Sequence, residues 1–257
     1  MRYVLCLLFP LLAACGAIKD VESQSRPITH EQWDTLLQRH VDEAGWVDYA
    51  GFMADTAALE SYLDSIRKGH PNTKHWTRDE QLAYWINAYN AFTVRLILDH
   101  YPTESIKSIK SGIPFVNTVW DIKFINIEGR EYDLNNIEHN IVRPVFNDAR
   151  AHFALNCASY SCPPLQARAY TAADLDAQLD AAARAFLADE RRNRIDGQSP
   201  EYVSKLFSWY SGDFKHTAPT VIAYLNRFAP VKIPADAELE YLDYDWSLND
   251  VRLQASR

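Results

Sequence analysis

The sequence predicts an α+β fold: a helix-rich single domain with a small, mainly antiparallel sheet. Three observations predict it. Apolar residues recur at helical spacing in several segments, most strongly over residues 77–100. Short extended runs are few, and the clearest flank a Glu128-Gly129 turn. No repeat, low-complexity tract or linker interrupts residues 30–257. Of 257 residues, 47% are apolar, which supports a sizeable core, and the net charge of −8 argues against nucleic acid as a partner. Fourteen tyrosines and seven tryptophans exceed what a minimal core needs, so part of that aromatic surface is expected to line a pocket. No cofactor is implied.

The N-terminus reads as a processing segment. Arg2 precedes an apolar run that is too short to span a bilayer and ends in Leu12-Ala-Ala-Cys15-Gly16. This resembles a bacterial lipobox. It implies a signal peptide over 1–14, a lipid on Cys15 and a lipidated tether over 15–29 that anchors the domain to the membrane. Gly16, rather than aspartate, points to the outer membrane facing the periplasm. The plainer alternative is an ordinary signal peptide with Cys15 incidental.

Residues 30–41 suit a helix with Trp33, Leu36, Leu37 and Val41 on one face, and 45–49 a short extended piece. Residues 57–66 form a second amphipathic helix, closed by Gly69 and Pro71. Thr77 and Glu80 make a capping-box signature that opens the strongest helix. Leu82, Trp85, Ile86, Tyr89, Phe92, Thr93 and Leu96 form its apolar stripe. Asn87 and Asn90 share a face with Ala83, Val94 and Leu98, so both amides are expected to be buried and to need partners. Those partners are either the backbone of a neighbouring loop or the groups of a site.

Residues 116–124 and 130–132 look extended. Asp133 caps a short helix over 134–143 that Pro144 stops. On it His139 and Arg143 lie four apart, either on a solvated face with Glu138 or presented to a site. A helix over 175–189 turns Leu175, Leu179 and Phe186 inward, and Arg191, Arg192 and Arg194 suit its solvated end. Short strands are expected within 193–210, a helix over 220–228 and a last strand over 239–246. Asp213, in an aromatic run, is a candidate buried acid.

The chemistry concentrates in residues 152–165, HFALNCASYSCPPL. Residues 150–156 alternate as a half-buried strand, with Phe153 and Leu155 on one side and His152, Ala154 and Asn156 on the other. Cys157 and Cys162 then fall in a loop that Pro163-Pro164 closes. Cys6 leaves with the signal and Cys15 carries lipid, so these two thiols remain for the folded domain.

Four blocks, WINAYN (85–90), IEHNIVR (137–143), HFALNCASYSCP (152–163) and WYSGDF (209–214), resemble the domain-of-unknown-function 547 family. The resemblance covers roughly residues 76–249 and implies no established activity. The family occurs in bacterial lipoproteins, in plant proteins with a coiled-coil partner and in fusions with glutaredoxin-like domains. The last two settings are reducing, which implies that an obligatory disulfide is not the family's common purpose.

Three readings of the thiols follow. In the first, Cys157 is a nucleophile in a hydrolase or acyl transferase acting on a small molecule or peptide. Its base is His152 or His139, with Asn87 or Asn90 orienting the imidazole and the amides of Ala158 and Ser159 binding an oxyanion. Asn156, Arg143, Asp213 and Cys162 support the site. This is analogous to papain-like or transglutaminase-like arrangements, although neither local signature is present. A straight strand would hold His152 about 16 Å from Cys157, so that pair requires a sharp bend. In the second reading, Cys157 and Cys162 form a structural disulfide in a non-catalytic binding module. In the third, they bind zinc with His152 or His139.

Overall fold

The computed structural model describes residues 23–110 and 118–255. The lipobox, the signal segment and most of the tether lie outside the described residues, as does the start of the expected 116–124 strand. The fold is α+β and helix-rich, with two small two-stranded sheets, one antiparallel and one parallel. Residues 23–29, expected in the tether, lie against the body: Ser23 is buried, and Ser25 bonds the His70 carbonyl and accepts from the Trp76 indole.

Helix α4 (Arg78–Leu98) is the centre. Thr77 Oγ1 accepts from the Glu80 amide at 3.2 Å and Glu80 accepts from the Thr77 amide at 2.7 Å, completing the expected capping box. Every residue from Leu82 to Leu98 except Arg95 is buried. The apolar stripe is therefore part of a helix covered all round. Helices α1 (Glu31–His40) and α3 (Thr56–Arg67) pack on one another, and α3 packs on α4. Helix α2 (Tyr49–Ala54) was not expected; Asp48 caps it and Tyr49 and Phe52 fill the core.

The hairpin forms slightly later than the pattern indicates. Strand β1 (Ile125–Ile127) pairs antiparallel with β2 (Arg130–Tyr132). Glu128 and Gly129 both adopt positive φ, 48° and 77°, as a two-residue turn of this twist requires. Residues 119–121, expected in a strand, form a 3-10 turn capped by Thr118 and Asp121.

The helix after Asp133 also departs from expectation. Pro144 does not stop it: a π-helix, Asn136–Phe146, runs through the proline and ends at Asn147 in left-handed backbone. Pro144 has no amide to donate in either an α or a π turn, so the helix continues past it with that one bond missing. The 150–156 strand is absent as well, replaced by a 3-10 helix, Ala149–Phe153, which Asp148 caps. The alternation has another cause. Phe153 enters one apolar cluster, with Phe186, Phe207 and Phe214, while Leu155 enters the other, around α4. His152 and the cysteine loop follow the seam between the two.

Helix α5 (Leu175–Ala188) buries Leu175, Leu179 and Phe186 as expected. Strand β3 (Glu201–Ser204) pairs in parallel with β4 (Leu239–Leu242). Short helices α6 (Leu206–Trp209), α7 (Ser211–Thr217), α8 (Val221–Leu225) and α9 (Val251–Gln254) complete the chain. Arg192 is not on a solvated end. It is buried, donates to the carbonyls of Cys162 at 2.7 Å and Tyr160 at 2.6 Å, and pairs with Asp189.

Both asparagines of α4 bind backbone. Asn87 donates to the Tyr170 carbonyl at 2.7 Å and accepts from its amide at 3.0 Å. Asn90 donates to the Ala154 carbonyl at 2.9 Å and accepts from the Asn156 amide at 2.8 Å. Truncating Asn90 strands two buried backbone groups. Asn90→Ala is expected to lower unfolding free energy by about 1–3 kcal/mol in urea denaturation. An unchanged midpoint would contradict this role.

Candidate functional site

Residues 157–162 are held from three directions. Asn156 accepts from the Ala158 amide at 3.0 Å and donates to the Pro163 carbonyl at 2.7 Å, clamping both ends of the loop. The C-terminal segment runs alongside: the Tyr160 amide donates to the Ser247 carbonyl at 2.8 Å, and the Asn249 amide to that of Ala158 at 3.3 Å. Arg192 grips the third side. Ala158 adopts a left-handed conformation, φ 58°, which a non-glycine residue takes only when its surroundings enforce it.

This turn brings the sulfurs together. Cys157 Sγ and Cys162 Sγ are 2.7 Å apart and both thiols are free. The Cys157 amide donates to Cys162 Sγ at 2.9 Å. Ser159 Oγ lies 3.2 Å and Tyr244 OH 3.5 Å from Cys157 Sγ. Burial pushes the Cys157 thiol up, but hydrogen bonds from Cys162, Ser159 and Tyr244 outweigh it and leave the thiol below its ordinary value. Burial, reinforced by the bond to Cys157, holds Cys162 well above its own. The pair thus divides into a half-buried sulfur whose thiol is lowered and a buried one whose thiol is raised.

A second network lies beside it. His152 Nε2 is 2.7 Å from Asp213 Oδ2, and its ring sits 4.0 Å from that of Tyr210. Arg143 donates to both oxygens of Asp213, at 2.7 and 3.0 Å, and its Nη1 donates to His139 Nδ1 at 2.7 Å. The bond from His152 lowers the Asp213 carboxyl furthest; burial opposes it, and Arg143 adds to the lowering, so Asp213 stays ionised well below the usual carboxylate range. A guanidinium only donates, so His139 Nδ1 accepts and its lone pair is occupied. Asp213 is half-exposed rather than buried.

Cys157, Cys162, His152 and His139 open on one cavity of about 270 Å³. Its walls are aromatic: Tyr89, Trp120, Trp209, Tyr210, Tyr244 and Trp246. Trp209, Tyr244 and Trp246 pack on one another, with ring separations of 4.5–5.9 Å. Glu138, half-buried, also lines the cavity. A larger recess of about 750 Å³ near His30 and Asp174 contains neither cysteine.

The expected residues divide accordingly. Cys157, Cys162, His152 and His139 meet in the cavity, with Arg143 and Asp213 behind the imidazoles. Asn87 and Asn90 touch no imidazole; the group that orients His152 is Asp213. The Ala158 amide is committed to Asn156 and is not available to an oxyanion. Among the described residues, no imidazole hydrogen-bonds either sulfur, and no three His, Cys, Asp or Glu side chains converge as a metal site would require. Tyr210, Tyr244, Trp246, Glu138 and Arg192 were missed as site residues, and Ser159 was expected through its amide, not through the hydroxyl that meets Cys157. Only the excess of aromatics signalled any of them.

Fold and cavity define a helix-rich α+β protein with a thiol-centred site. Residues 73–187 match the model of a family described as protein of unknown function, DUF547. No curated protein and no solved structure matches the chain significantly.

Because Asp213 is lowered in the folded chain, its charge stabilises the fold above the ordinary carboxylate value, about pH 4. That contribution is lost as pH falls from there toward the lowered folded value. Asp213→Asn is expected to reduce the melting temperature at neutral pH and to flatten the acid limb of the Tm–pH curve. An acid limb identical to the parent's would rule the linkage out.

Proposed function

We propose that the chain is a cysteine-dependent hydrolase or acyl transferase acting through a Cys/His site on a small molecule or peptide. We further propose that it is a lipoprotein held by Cys15 at the outer membrane, facing the periplasm. One observation carries the catalytic reading: the Cys157 sulfur and the Asp213-held imidazole of His152 open on the same cavity. His152 supports the role of base better than His139, whose Nδ1 is occupied by Arg143.

Cys157 Sγ attacks the carbonyl carbon of the acyl substrate and the C=O electron pair moves to oxygen. Tyr244 OH, beside the sulfur, donates to that oxygen. The proton released by the thiol resides on His152 Nδ1, since Nε2 faces Asp213. When the carbonyl reforms, the bond to the leaving nitrogen or oxygen breaks and Nδ1 protonates it. Water or another acceptor then attacks the thioester, Nδ1 takes its proton, and the Cys157 thiolate departs. The zinc alternative lacks a third converging ligand among the described residues. The binding-module alternative joins the two thiols, whose sulfurs lie 2.7 Å apart, and iodoacetamide labelling separates it from catalysis.

Cys157→Ser is expected to abolish iodoacetamide labelling of the native protein's site and any acyl-transfer activity, with little loss of stability, while Cys162→Ser is milder. Equal, non-additive losses of melting temperature for both variants, with the parent protein resisting iodoacetamide, would eliminate catalysis in favour of a bridge. For the anchor, Cys15→Ser is expected to release the protein from the outer-membrane fraction. An acylated variant still in that fraction would refute the lipobox.

A further inference from the structure

Cys162 takes no step in acyl transfer, yet it is placed as a reactant. Its sulfur lies 2.7 Å from the Cys157 sulfur with no side chain between them. The two differ in access: both line the cavity, but Cys157 is half-buried while Cys162 is only 3% exposed. The left-handed Ala158, the Asn156 clamp and the grip of Arg192 on the Cys162 carbonyl hold this contact rigidly. A nucleophile that worked by acyl transfer alone would gain nothing from a thiol there that a serine would not supply. A buried thiol held in contact with Cys157 is the arrangement that releases a mixed disulfide formed on Cys157.

We infer that Cys157 and Cys162 are an attacking and a resolving thiol, so that the cavity carries out thiol–disulfide exchange on disulfide-bonded substrates small enough to enter it. This rests on the reading of Cys157 as the nucleophile. The Cys157 thiolate attacks one sulfur of R–S–S–R; that S–S bond breaks and RS⁻ leaves. RS⁻ takes the proton of Cys162. The Cys162 sulfur then attacks Cys157 Sγ, and the bond from Cys157 to the second R–S breaks. The second RS⁻ takes up from water the proton that Cys157 had given to it. The substrate gains two electrons and two protons, and the pair ends as a disulfide. An external dithiol restores it by the reverse steps.

The test uses the full chain, reduced, freed of reductant and treated with one equivalent of dithiobis(nitrobenzoate). Peptide mass spectrometry separates Cys157 and Cys162 from Cys6 and Cys15. The parent is expected to release both halves of the reagent and finish with a Cys157–Cys162 disulfide. Cys162→Ser is expected to release one half and keep the other on Cys157. An adduct that persists on Cys157 in the parent overturns the resolving role and leaves the nucleophile standing. Absence of any Cys157 adduct in both proteins overturns both readings. Labelling of Cys162 in Cys157→Ser as fast as that of Cys157 in Cys162→Ser overturns the division of roles.

Discussion

The site depends on the two hydrogen bonds of the Asn90 side chain. They tie the most buried helix of the protein to the Ala154 carbonyl and the Asn156 amide, directly before Cys157. Asn156 relays the constraint, reaching Ala158 on one side of the loop and Pro163 beyond it. All of these groups are removed from water, so each bond broken leaves a buried polar group unpaired. The cysteines are in irregular backbone, but backbone fixed to the core. A sulfur–sulfur contact needs that precision, because small shifts in a free loop would separate two side chains that no other bond holds together.

Asp213 plays the corresponding part for the imidazoles. Its carboxylate accepts from His152 and from two nitrogens of Arg143, whose remaining fork reaches His139. Asparagine in its place would have one acceptor oxygen rather than two and no charge to balance the guanidinium. One anion thus fixes the ring of His152, and through Arg143 it fixes the tautomer of His139. The two histidines are thereby made unequal: His152 keeps Nδ1 outside this network, and His139 keeps Nε2 outside it.

The sequence revealed the parts whose causes are local. Helix α4 was legible because Thr77, Glu80 and a long apolar run announce it within a single stretch. The hairpin was legible from Glu128-Gly129, although its first strand sits later than the apolar run suggested. Pro144 misled because proline is a breaker for the α-helix, and nothing local announces a π turn. Residues 150–156 misled because their alternation serves two cores instead of two faces of a sheet. Arg192 misled because a run of arginines ordinarily faces water, and only tertiary contact gives this one two buried carbonyls. The sulfurs themselves were found, but Tyr244 was not: it reaches Cys157 across 87 residues, and no periodicity carries information over that distance.

The match to the family model ends at residue 187, and the cavity does not. Within the matched residues lie the thiols, both histidines, Arg143 and the two asparagines of α4. Beyond them lie Asp213, which holds His152, and Trp209, Tyr210, Tyr244 and Trp246, which form much of the wall. The sulfurs and much of the cavity wall are therefore drawn from different lengths of chain, with Tyr89 and Trp120 adding to the wall from the matched residues. The electronic state of Cys157 crosses that division, since Tyr244 contributes to lowering it. Under the proposed function, a change at Tyr244 would alter both the cavity wall and the lowering of the Cys157 thiol. Helix α4 contributes twice, through the Asn90 bonds that position the loop and through Tyr89 in the wall.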